Sequence, residues 1–359
     1  MEFAAIAAES QHLYVPRYSV RVGGKELLGE GAEVVSLSVD EVLDGAGRVA
    51  VSVLNHDLRW LTSPLFVPGN AIEVQLGYSE PLETLFVGEI SELRPSFPAE
   101  GPAQLEVAGH DLSHRLSRGC RFRPWEQVTD SDIARQIAND HHLDPAGIST
   151  TTVRYPKVMQ DGEDDLTFLR RRAEKNQFEV AVRERTLIFA EPQDQSTAPE
   201  AMALKWGESL LTFIPEMNTA TQVSDVTVRS WNPTAKREIV GRASWRDLWG
   251  NQPHRQSGGE LVERLYGRIE ACVRGEPVYT QEEADQRARA VLKERAGGLI
   301  TGRGESIGLP QLRVRTLVRL DGLGPFSMQY YITATTHTLS AAGYRTTFSV
   351  KGETYARSH

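Results

Sequence analysis

The sequence has few cysteines, few lysines and no long apolar run. Only Cys120 and Cys272 occur in 359 residues, and a secreted domain stapled by disulfides would carry more. Neither belongs to a CxxC motif or a Cys/His cluster, which argues against a structural zinc site.

No apolar segment approaches the ~18 residues that span a bilayer. The N-terminal MEFAAIAAESQ also lacks the basic start and long apolar core of a signal peptide. We expect reduced thiols, cytoplasmic synthesis and no stable membrane anchor.

The charge balance is mildly acidic. Forty Lys+Arg stand against 48 Asp+Glu, giving a net charge of −8. This argues against specific nucleic-acid binding, because phosphate contacts need a basic surface. The basic residues are 33 Arg and only 7 Lys. Such a bias fits either GC-rich coding or an Arg-lined protein interface, and composition does not separate the two.

Residues 1–112 are predicted to form an antiparallel barrel or sandwich. Short β-branched segments alternate with glycine-containing turns at even spacing, a pattern typical of all-β domains. The segments are 19–22, 33–39, 49–53, 71–77, 85–90 and 104–109.

Residues 113–200 are predicted to form a small inserted α+β domain. One helix, capped by Asp130–Asp132, runs to His141-His142, and a second starts at Asp164-Asp165. The apolar face of the second helix comprises Leu166, Leu169 and Ala173, with Phe168 alongside and Arg170–Arg172 on the far side. A hairpin over 178–189 and a polar linker at 193–200 follow.

Residues 201–359 are predicted to return to β structure. Segments 223–230 and 236–243 flank Trp231–Thr234 and indicate a long hairpin. A mixed stretch, 245–277, precedes a helix that opens with a Thr280/Glu283 capping box and closes at Gly297-Gly298. Strands are expected from Leu312 onward. We expect a second barrel from 201–244 and 300–359, with a helical insertion at about 245–299.

The two β-rich ends resemble each other. Residues 71–93 align with 316–339, placing Val74 on Val318 and Phe86 on Tyr330. Downstream, 105–111 aligns with 348–354, placing Val107 on Val350. The overall prediction is a mainly β fold with an α+β insertion: two tube-like antiparallel β-barrels plus a small α+β domain.

One motif raises the alternative of a hydrolase acting on an ester or a glycan. Gly304-Glu305-Ser306-Ile307-Gly308 matches G-x-S-x-G, and Asp321 and His337 follow in the chain order of a triad. The context argues against it, since glycines precede the motif and Leu309-Pro310 stops any following helix. We expect a glycine-rich turn that enters a strand here, with no catalytic residue.

Other polar clusters suggest no cofactor and no metal. Asp161, Glu163, Asp164 and Asp165 lack EF-hand spacing and suit a helix N-terminus instead. The histidines at 110, 114, 141 and 142 lack a metal-binding spacing and are expected at the surface. Trp231-Asn232-Pro233 places an aromatic among polar residues, which favours either cover for a small core or a protein-binding anchor.

An ordered set of motifs resembles the late control protein D family, the baseplate hub of contractile phages. The hub part of type VI secretion spike proteins and of contractile injection systems is related. The motifs that carry the resemblance are Val128–Ala134 with Ile137, Gln160, Asp164–Glu174, the 178–189 hairpin, Trp231–Pro233, Gly241, Glu282–Ala284, Gly302, Gly304, Gly308–Pro310, Tyr330–Ile332, His337–Leu339 and Gly343-Tyr344. Together they span most of the chain.

The resemblance implies a homotrimer that adapts a sixfold inner tube to a threefold spike. The hairpin, with Arg229, Trp231, Asn232, Pro233 and Arg237, would dock the tube. The motif Asp165, Phe168, Leu169 and Arg172 would mark the inserted domain. Because the sequence ends at His359 without a β-helix needle, a separate spike protein is expected. Baseplate wedge or tape-measure proteins are further expected partners. The sequence does not distinguish a phage tail from a headless injection particle.

Overall fold

The computed structural model describes residues 15–356, apart from 194–199, 233–235, 250–254, 276–277 and 279. A 13-stranded sheet dominates this part of the chain, and smaller sheets and helices are attached to it. Most of the linker expected at 193–200, the N-terminal 14 residues, and Pro233 of the hairpin lie outside the described residues.

The first half of the large sheet is built from residues 17–111. Its strands are β1 (Arg17–Val22), β2 (Lys25–Glu26), β3 (Val34–Val42), β4 (Arg48–Leu54), β5 (Ala71–Gly77), β6 (Glu83–Ser96) and β7 (Gln104–Asp111). They pair antiparallel in the order β2-β1-β5-β6-β7-β4-β3. In β4, Val49, Val51 and Val53 are fully buried while the alternate residues face out, because side chains alternate across a strand. These valines belong to a core shared by all the longer strands of this half.

The inserted segment has a second core of its own, running from Leu112 to Phe189. Its elements are α1 (Ser113–Leu116), β8 (Arg121–Thr129), α2 (Asp130–Asp140), β9 (Asp144–Ile148), β10 (Arg154–Glu163), α3 (Asp165–Asn176), β11 (Glu179–Arg183) and β12 (Thr186–Ala190). The two predicted helices and the hairpin are confirmed. The β8–β10 ribbon and the parallel pairing of β9 with β12 were not predicted.

The rest of the chain completes the large sheet and adds a third unit. Its elements are β13 (Met202–Lys205), β14 (Leu210–Met217), β15 (Asp225–Asn232), β16 (Arg237–Ser244), α4 (Trp245–Trp249), β17 (Arg255–Ser257), α5 (Gly258–Tyr266), β18 (Glu270–Arg274), α6 (Gln281–Ala296), β19 (Ile300–Ile307), β20 (Leu317–Asp321), β21 (Met328–Ser340), β22 (Gly343–Gly352) and β23 (Thr354–Ala356). Strands β13, β14 and β19–β22 form the second half of the large sheet around a third core.

The predicted hairpin exists but lies outside the barrel strands. Strands β15 and β16 pair with each other, and β15 also pairs in parallel with β18. Val226, Val228 and Ile239 share a fourth core with Ala284 and Ala288 of helix α6. The hairpin therefore belongs to the same packed unit as the helical segment that follows it.

The internal repeat is visible in the strand order. From edge to edge, the first half runs β1-β5-β6-β7-β4-β3 and the second β13-β20-β21-β22-β19-β14. Each strand matches its counterpart, although β13 pairs with β20 in parallel whereas β1 pairs with β5 antiparallel. The match makes the two halves copies of one β topology.

Matching β-bulges fix the register of this repeat. The extra residue is Ser91 between β6 and β7, and Thr333 between β21 and β22. A second matching pair of bulges has Val35 as the extra residue between β3 and β4, and Leu211 as the extra residue between β14 and β19. The bulges show that Ile90 corresponds to Ile332. The alignment made from sequence, which sets Phe86 on Tyr330, is two residues out of this register. Such a displacement escapes detection because it keeps every side chain on its own face of the sheet.

The glycine-rich turn predicted before a strand is wrong, because residues 300–307 already form strand β19. The glycines in and just after β19 lie under aromatic rings, and a Cβ on Gly302 would come within 2.6 Å of the Phe213 ring. Gly304 lies against Phe348, and Gly308 against Tyr344, in the same way. Strands therefore resume at Ile300 rather than at Leu312.

Candidate assembly interface

The two halves of the large sheet meet where β3 pairs with β21. The pairing runs antiparallel from Val42↔Ala334 to Leu37↔Leu339 and makes one continuous sheet of both halves. On one face Thr336 donates to Asp40 at 2.7 Å. On the other face Val39 and His337, which oppose each other, are fully buried.

A buried ion pair closes this junction. Arg313 Nε lies 2.9 Å from both carboxylate oxygens of Glu41, and the same guanidinium donates to the carbonyls of Thr84 and Leu85 at 2.9 Å. Burial alone would raise the pKa of Glu41, but the charge and hydrogen bonds of Arg313 outweigh burial and lower that pKa. Glu41 therefore holds the loop before β20 against the first half as a carboxylate.

His337 lies beside this ion pair inside the junction. Its Nδ1 is 2.9 Å from the Tyr344 hydroxyl and 3.1 Å from the Thr346 hydroxyl, and its Nε2 is 3.0 Å from the Leu312 carbonyl. Burial lowers the pKa of His337 to about 4. The imidazole is therefore neutral at neutral pH and serves as a packed hydrogen-bonding group.

The residues of the possible triad do not form a hydrolase site. Ser306 is fully buried, and its hydroxyl donates to the carbonyls of Ile307 and Thr346. Asp321 pairs with Arg319, with 3.0 Å between its Oδ2 and Arg319 Nε. His337 hydrogen-bonds to Leu312, Tyr344 and Thr346 instead of to Ser306. The serine hydroxyl thus has no imidazole base and no open approach for a substrate.

Asp165 of the inserted-domain motif is buried and makes several hydrogen bonds. It accepts from Gln160 at 2.9 Å, lies 2.8 Å from His141 Nε2, and pairs with Arg121 at 3.2 Å. Burial would raise the pKa of Asp165, but these hydrogen bonds and the Arg121 charge lower it. His141 is therefore largely buried, contrary to the expectation of a surface histidine. Asp164, as predicted, caps helix α3 by accepting from the Thr167 amide at 2.9 Å.

Phe168, Leu169 and Arg172 complete the motif inside the domain core. Phe168 stacks on Trp125 at 6.1 Å between ring centroids, and Leu169 is fully buried. Arg172 was expected on the exposed side but is buried, with its guanidinium on Asp130 and over the Tyr155 ring. Because the Asp130 side chain contacts Arg172 in the core, the N-cap residue of α2 is Thr129, whose side chain accepts from the Asp132 amide. The motif holds the inserted domain together and does not form a surface.

The hairpin divides its predicted docking residues between two faces. Arg229 and Trp231 share the face opposite helix α6, where Arg229 pairs with Glu238 at 3.0 Å. The Trp231 side chain is 61% exposed. Arg237, the register partner of Asn232, lies on the other face near the tip, and Pro233 lies outside the described residues.

In the described part of the chain, the open strand edges of the large sheet include two long ones, on β14 and β6, besides those of the short strands β2 and β13. β14 is the last strand of the sheet and pairs only with β19. β6 extends beyond β5, so from Ser91 to Ser96 it has β7 on one side only. Exposed apolar residues mark both edges, with Ile214 74% exposed and Phe97 62% exposed.

The described residues contain neither a metal-binding cluster nor a helix that could span a membrane. No group of three His, Cys, Asp or Glu side chains there could hold a metal ion. None of the helices described is long and apolar enough to cross a membrane.

The fold is that of known phage tail proteins. The 43 kDa tail protein of prophage MuSo2 from Shewanella oneidensis matches with a TM-score of 0.70 at 15% identity, over 94% of this chain and 98% of that one. A tail protein from Neisseria meningitidis MC58 matches with a TM-score of 0.69 at 15% identity, over 94% and 97%. The predicted class, mainly β with curled antiparallel sheets and an α+β insertion, is thereby confirmed.

A secretion protein has the same architecture. The E. coli c3393 protein, a component of the type VI secretion system, matches with a TM-score of 0.59 at 15% identity, over 92% of this chain and 76% of that one. By sequence, the chain belongs to the Alg8 N-terminal domain family, whose profile matches residues 14–341. No curated protein matches the sequence significantly.

Proposed function

We propose that this protein is the structural baseplate hub of a contractile tail or injection system, of the late control protein D type. In this proposal it is a homotrimer that adapts a sixfold inner tube to a threefold spike. The observation that carries the proposal is the duplicated β topology within one chain. Three copies of a chain with two similar halves provide six similar positions around one axis.

The known folds support the same role. Two of the similar structures are tail proteins and a third is a type VI secretion component. A hub of this kind acts through strand edges and broad interfaces rather than through a reaction, so we propose no enzymatic activity. The net charge of −8 per chain gives −24 for a trimer, by 3 × −8.

The proposed partners are other particle proteins. Besides further copies of the chain, we propose the inner tube protein, a separate spike protein, and wedge or tape-measure components. We propose that the chain is made in the cytoplasm and then built into the baseplate of a phage tail or injection particle. In this location it needs neither specific nucleic-acid binding nor a membrane anchor.

We keep the three-part division of the chain as a proposal, with one change. The first barrel is residues 1–112, the inserted domain 113–200, and the second barrel lies within 201–359. The shared core of β15, β16 and α6 favours placing the hairpin with the helical insertion, which then begins near Val223 rather than at 245. The hairpin would project from the ring as a docking arm.

Co-assembly with the inner tube protein of the same particle tests this function. Purified hub added to tube protein should shorten the lag of tube formation and appear at one end of each tube in electron micrographs. Tubes that form at the same rate with no hub at either end would contradict the proposal.

A further inference from the structure

We propose that Glu179, Arg315 and Tyr331 form a latch that holds the inserted domain against the second half of the large sheet. When the latch opens, the domain turns about the point where the chain enters it, at Leu112. The latch requires neither a trimer nor a bound tube or spike, so it goes beyond the proposed hub function.

The inserted domain is packed as a separate body. Its core shares no residue with the three other cores of the described chain. The two halves of the sheet, in contrast, share apolar packing, since Tyr344 of the second half belongs to the core of the first. A domain that shares no apolar core with its neighbours moves relative to them unless other contacts hold it. Polar contacts therefore decide where the inserted domain lies.

Glu179 is the centre of the contact with the second half. Its carboxylate, in β11, accepts from the Tyr331 hydroxyl at 2.5 Å and lies 3.5 Å from Arg315 Nε. Arg315 also donates to the Glu191 carbonyl at 3.3 Å. The side chains of Glu179 and Arg315 are only 14% and 10% exposed, and Tyr331 is almost fully buried. Hydrogen bonds to a carboxylate that is shielded from water are among the stronger ones in proteins.

Neutral carbonyls accept the other hydrogen bonds of the domain with its neighbours. Arg183 of β11 donates to the Val314 carbonyl at 3.0 Å. At the end of helix α3, Gln177 donates to the Gln286 carbonyl of α6 at 3.1 Å. Because bonds to a neutral acceptor contribute less than bonds to a carboxylate, the position of the domain depends mainly on Glu179.

The closed latch includes a strained backbone position. Arg315 has a φ of 70°, in the left-handed region that residues other than glycine seldom adopt. Residues in this region persist only where surrounding contacts hold them, and they are frequent in switch regions. The bonds of the Arg315 side chain to Glu179 and Glu191 are among these contacts, so opening the latch removes part of what maintains the strain.

The closed latch also has electrostatic costs. Nη1 of Arg315 is buried and makes no hydrogen bond among the described residues, and an unsatisfied buried donor is destabilising. Packing around the Arg183 guanidinium and the positive charges of Arg313 and Arg315 lower the pKa of Arg183, although the residue as a whole is exposed. Strain, an unpaired donor and repulsion thus oppose the attraction of a single carboxylate.

The entry of the chain into the domain is anchored on the first half. Asp111, the last residue of β7, accepts from the Ser113 amide at 2.9 Å, and Arg115 of α1 pairs with Glu89 of β6. This anchor does not involve the latch, which lies on the second half. Release of the latch therefore leaves the domain attached at one end, which is the arrangement of a hinge.

Distances between two spin labels test the latch. The native cysteines, which are exposed, are first changed by Cys120→Ser and Cys272→Ser. Arg185→Cys, in the exposed turn after β11, then carries one label, and Ala341→Cys, in the exposed turn between β21 and β22, carries the other. Labelled chains are mixed with an excess of cysteine-free chains, so that distances between copies do not contribute. Double electron–electron resonance records the distribution of distances between the domain and the second half.

Glu179→Ala should raise the population with longer distances about tenfold or more, because a hydrogen bond to a charged group commonly contributes that factor. Tyr331→Phe should raise it less, since Arg315 still contacts Glu179. The matched control is Glu174→Ala, which removes an exposed carboxylate from helix α3 of the same domain and should leave the distances unchanged.

A narrow distribution in the parent, with the largest broadening in Glu179→Ala and a smaller one in Tyr331→Phe, supports the latch. Near-ultraviolet circular dichroism, to which the buried Trp125 of the domain core contributes, shows whether each variant is folded. If Glu179→Ala unfolds the domain, Tyr331→Phe decides, because it keeps the buried ring. Unchanged distances, or a parent as broad as the variants, would overturn the latch and leave the hub proposal standing.

Discussion

Arg172 stabilises the inserted domain from inside its core. Its guanidinium is almost fully buried on Asp130, and Asn176 donates to the same carboxylate at 2.7 Å. Removing one partner of such a pair leaves a buried charge without compensation. Arg172→Ala should therefore lower the free energy of unfolding by about 3–5 kcal/mol in urea denaturation.

The neighbouring Arg171 provides the matched control. Its side chain is 44% exposed and pairs with Glu163 at the surface, so Arg171→Ala should cost no more than about 1 kcal/mol. Equal losses for the two variants would contradict the assignment of Arg172 to the core.

His337 should make the junction between the halves sensitive to acid. Its pKa is about 4 in the folded chain, against about 6.5 when exposed, so the unfolded chain takes up the proton first. The effect of His337 on the free energy of unfolding is small above pH 6.5. It lowers this free energy progressively as the pH drops from 6.5 to 4, and the effect then levels off. The cost to the unfolding free energy between pH 7 and pH 5 is about 2 kcal/mol.

Urea denaturation at the two pH values measures this cost. Comparing the parent chain with His337→Gln isolates the imidazole from the carboxylates that titrate nearby. The pH 7 to pH 5 loss should be smaller in the variant by about 2 kcal/mol. Identical losses in both proteins would show that His337 does not carry the effect.

The glycines in and just after β19 show why some residues could not be placed from sequence. Gly302, Gly304 and Gly308 have the spacing of a turn or a nucleophile elbow, and this spacing predicts a turn that enters a strand. In the structure each lies beneath an aromatic ring from a strand or segment distant in sequence. Local composition contains no sign of an aromatic ring contributed by a residue about 40 or 90 positions away. Arg172 was misplaced for the same reason, since Asp130 approaches it from another helix.

At the scale of elements, the Arg229/Trp231 face of the β15–β16 hairpin is the proposed contact with the tube. Trp231→Ala should leave folding and trimer formation unchanged, because the side chain is 61% exposed on a surface strand. If Trp231 is a hot spot of about 2 kcal/mol, hub–tube affinity falls about thirtyfold. Binding to immobilised tube rings measures this effect.

Trp206 is the matched control for that variant. It is 59% exposed and lies at the end of β13, away from the hairpin. Trp206→Ala should leave tube binding unchanged. Unaltered binding by Trp231→Ala, or an equal loss in both variants, would refute the docking role of the hairpin.

Elements with strong local patterns could be predicted, and those defined by distant pairing could not. The capping residues Asp164 and Thr280 and the alternation of Val49, Val51 and Val53 have local physical causes, and the structure bears them out. The β8–β10 ribbon has little alternation of burial, since most of β8 is exposed. Its strands are held by each other and by the helices, which sequence periodicity does not reveal.

At the scale of the whole molecule, the chain contains one β topology twice. The repeat could be detected from sequence, but its register was displaced by two residues because such a shift preserves the pattern of inward and outward side chains. The matching bulges at Ser91 and Thr333, and at Val35 and Leu211, fix it.

Imaging the purified protein by cryo-electron microscopy tests the central claim most directly. The account predicts closed rings of three chains, about 120 kDa for a chain of 39.9 kDa, with six similar β lobes around the axis. Particles that remain single chains at every concentration, or that form dimers related by a twofold axis, would contradict it.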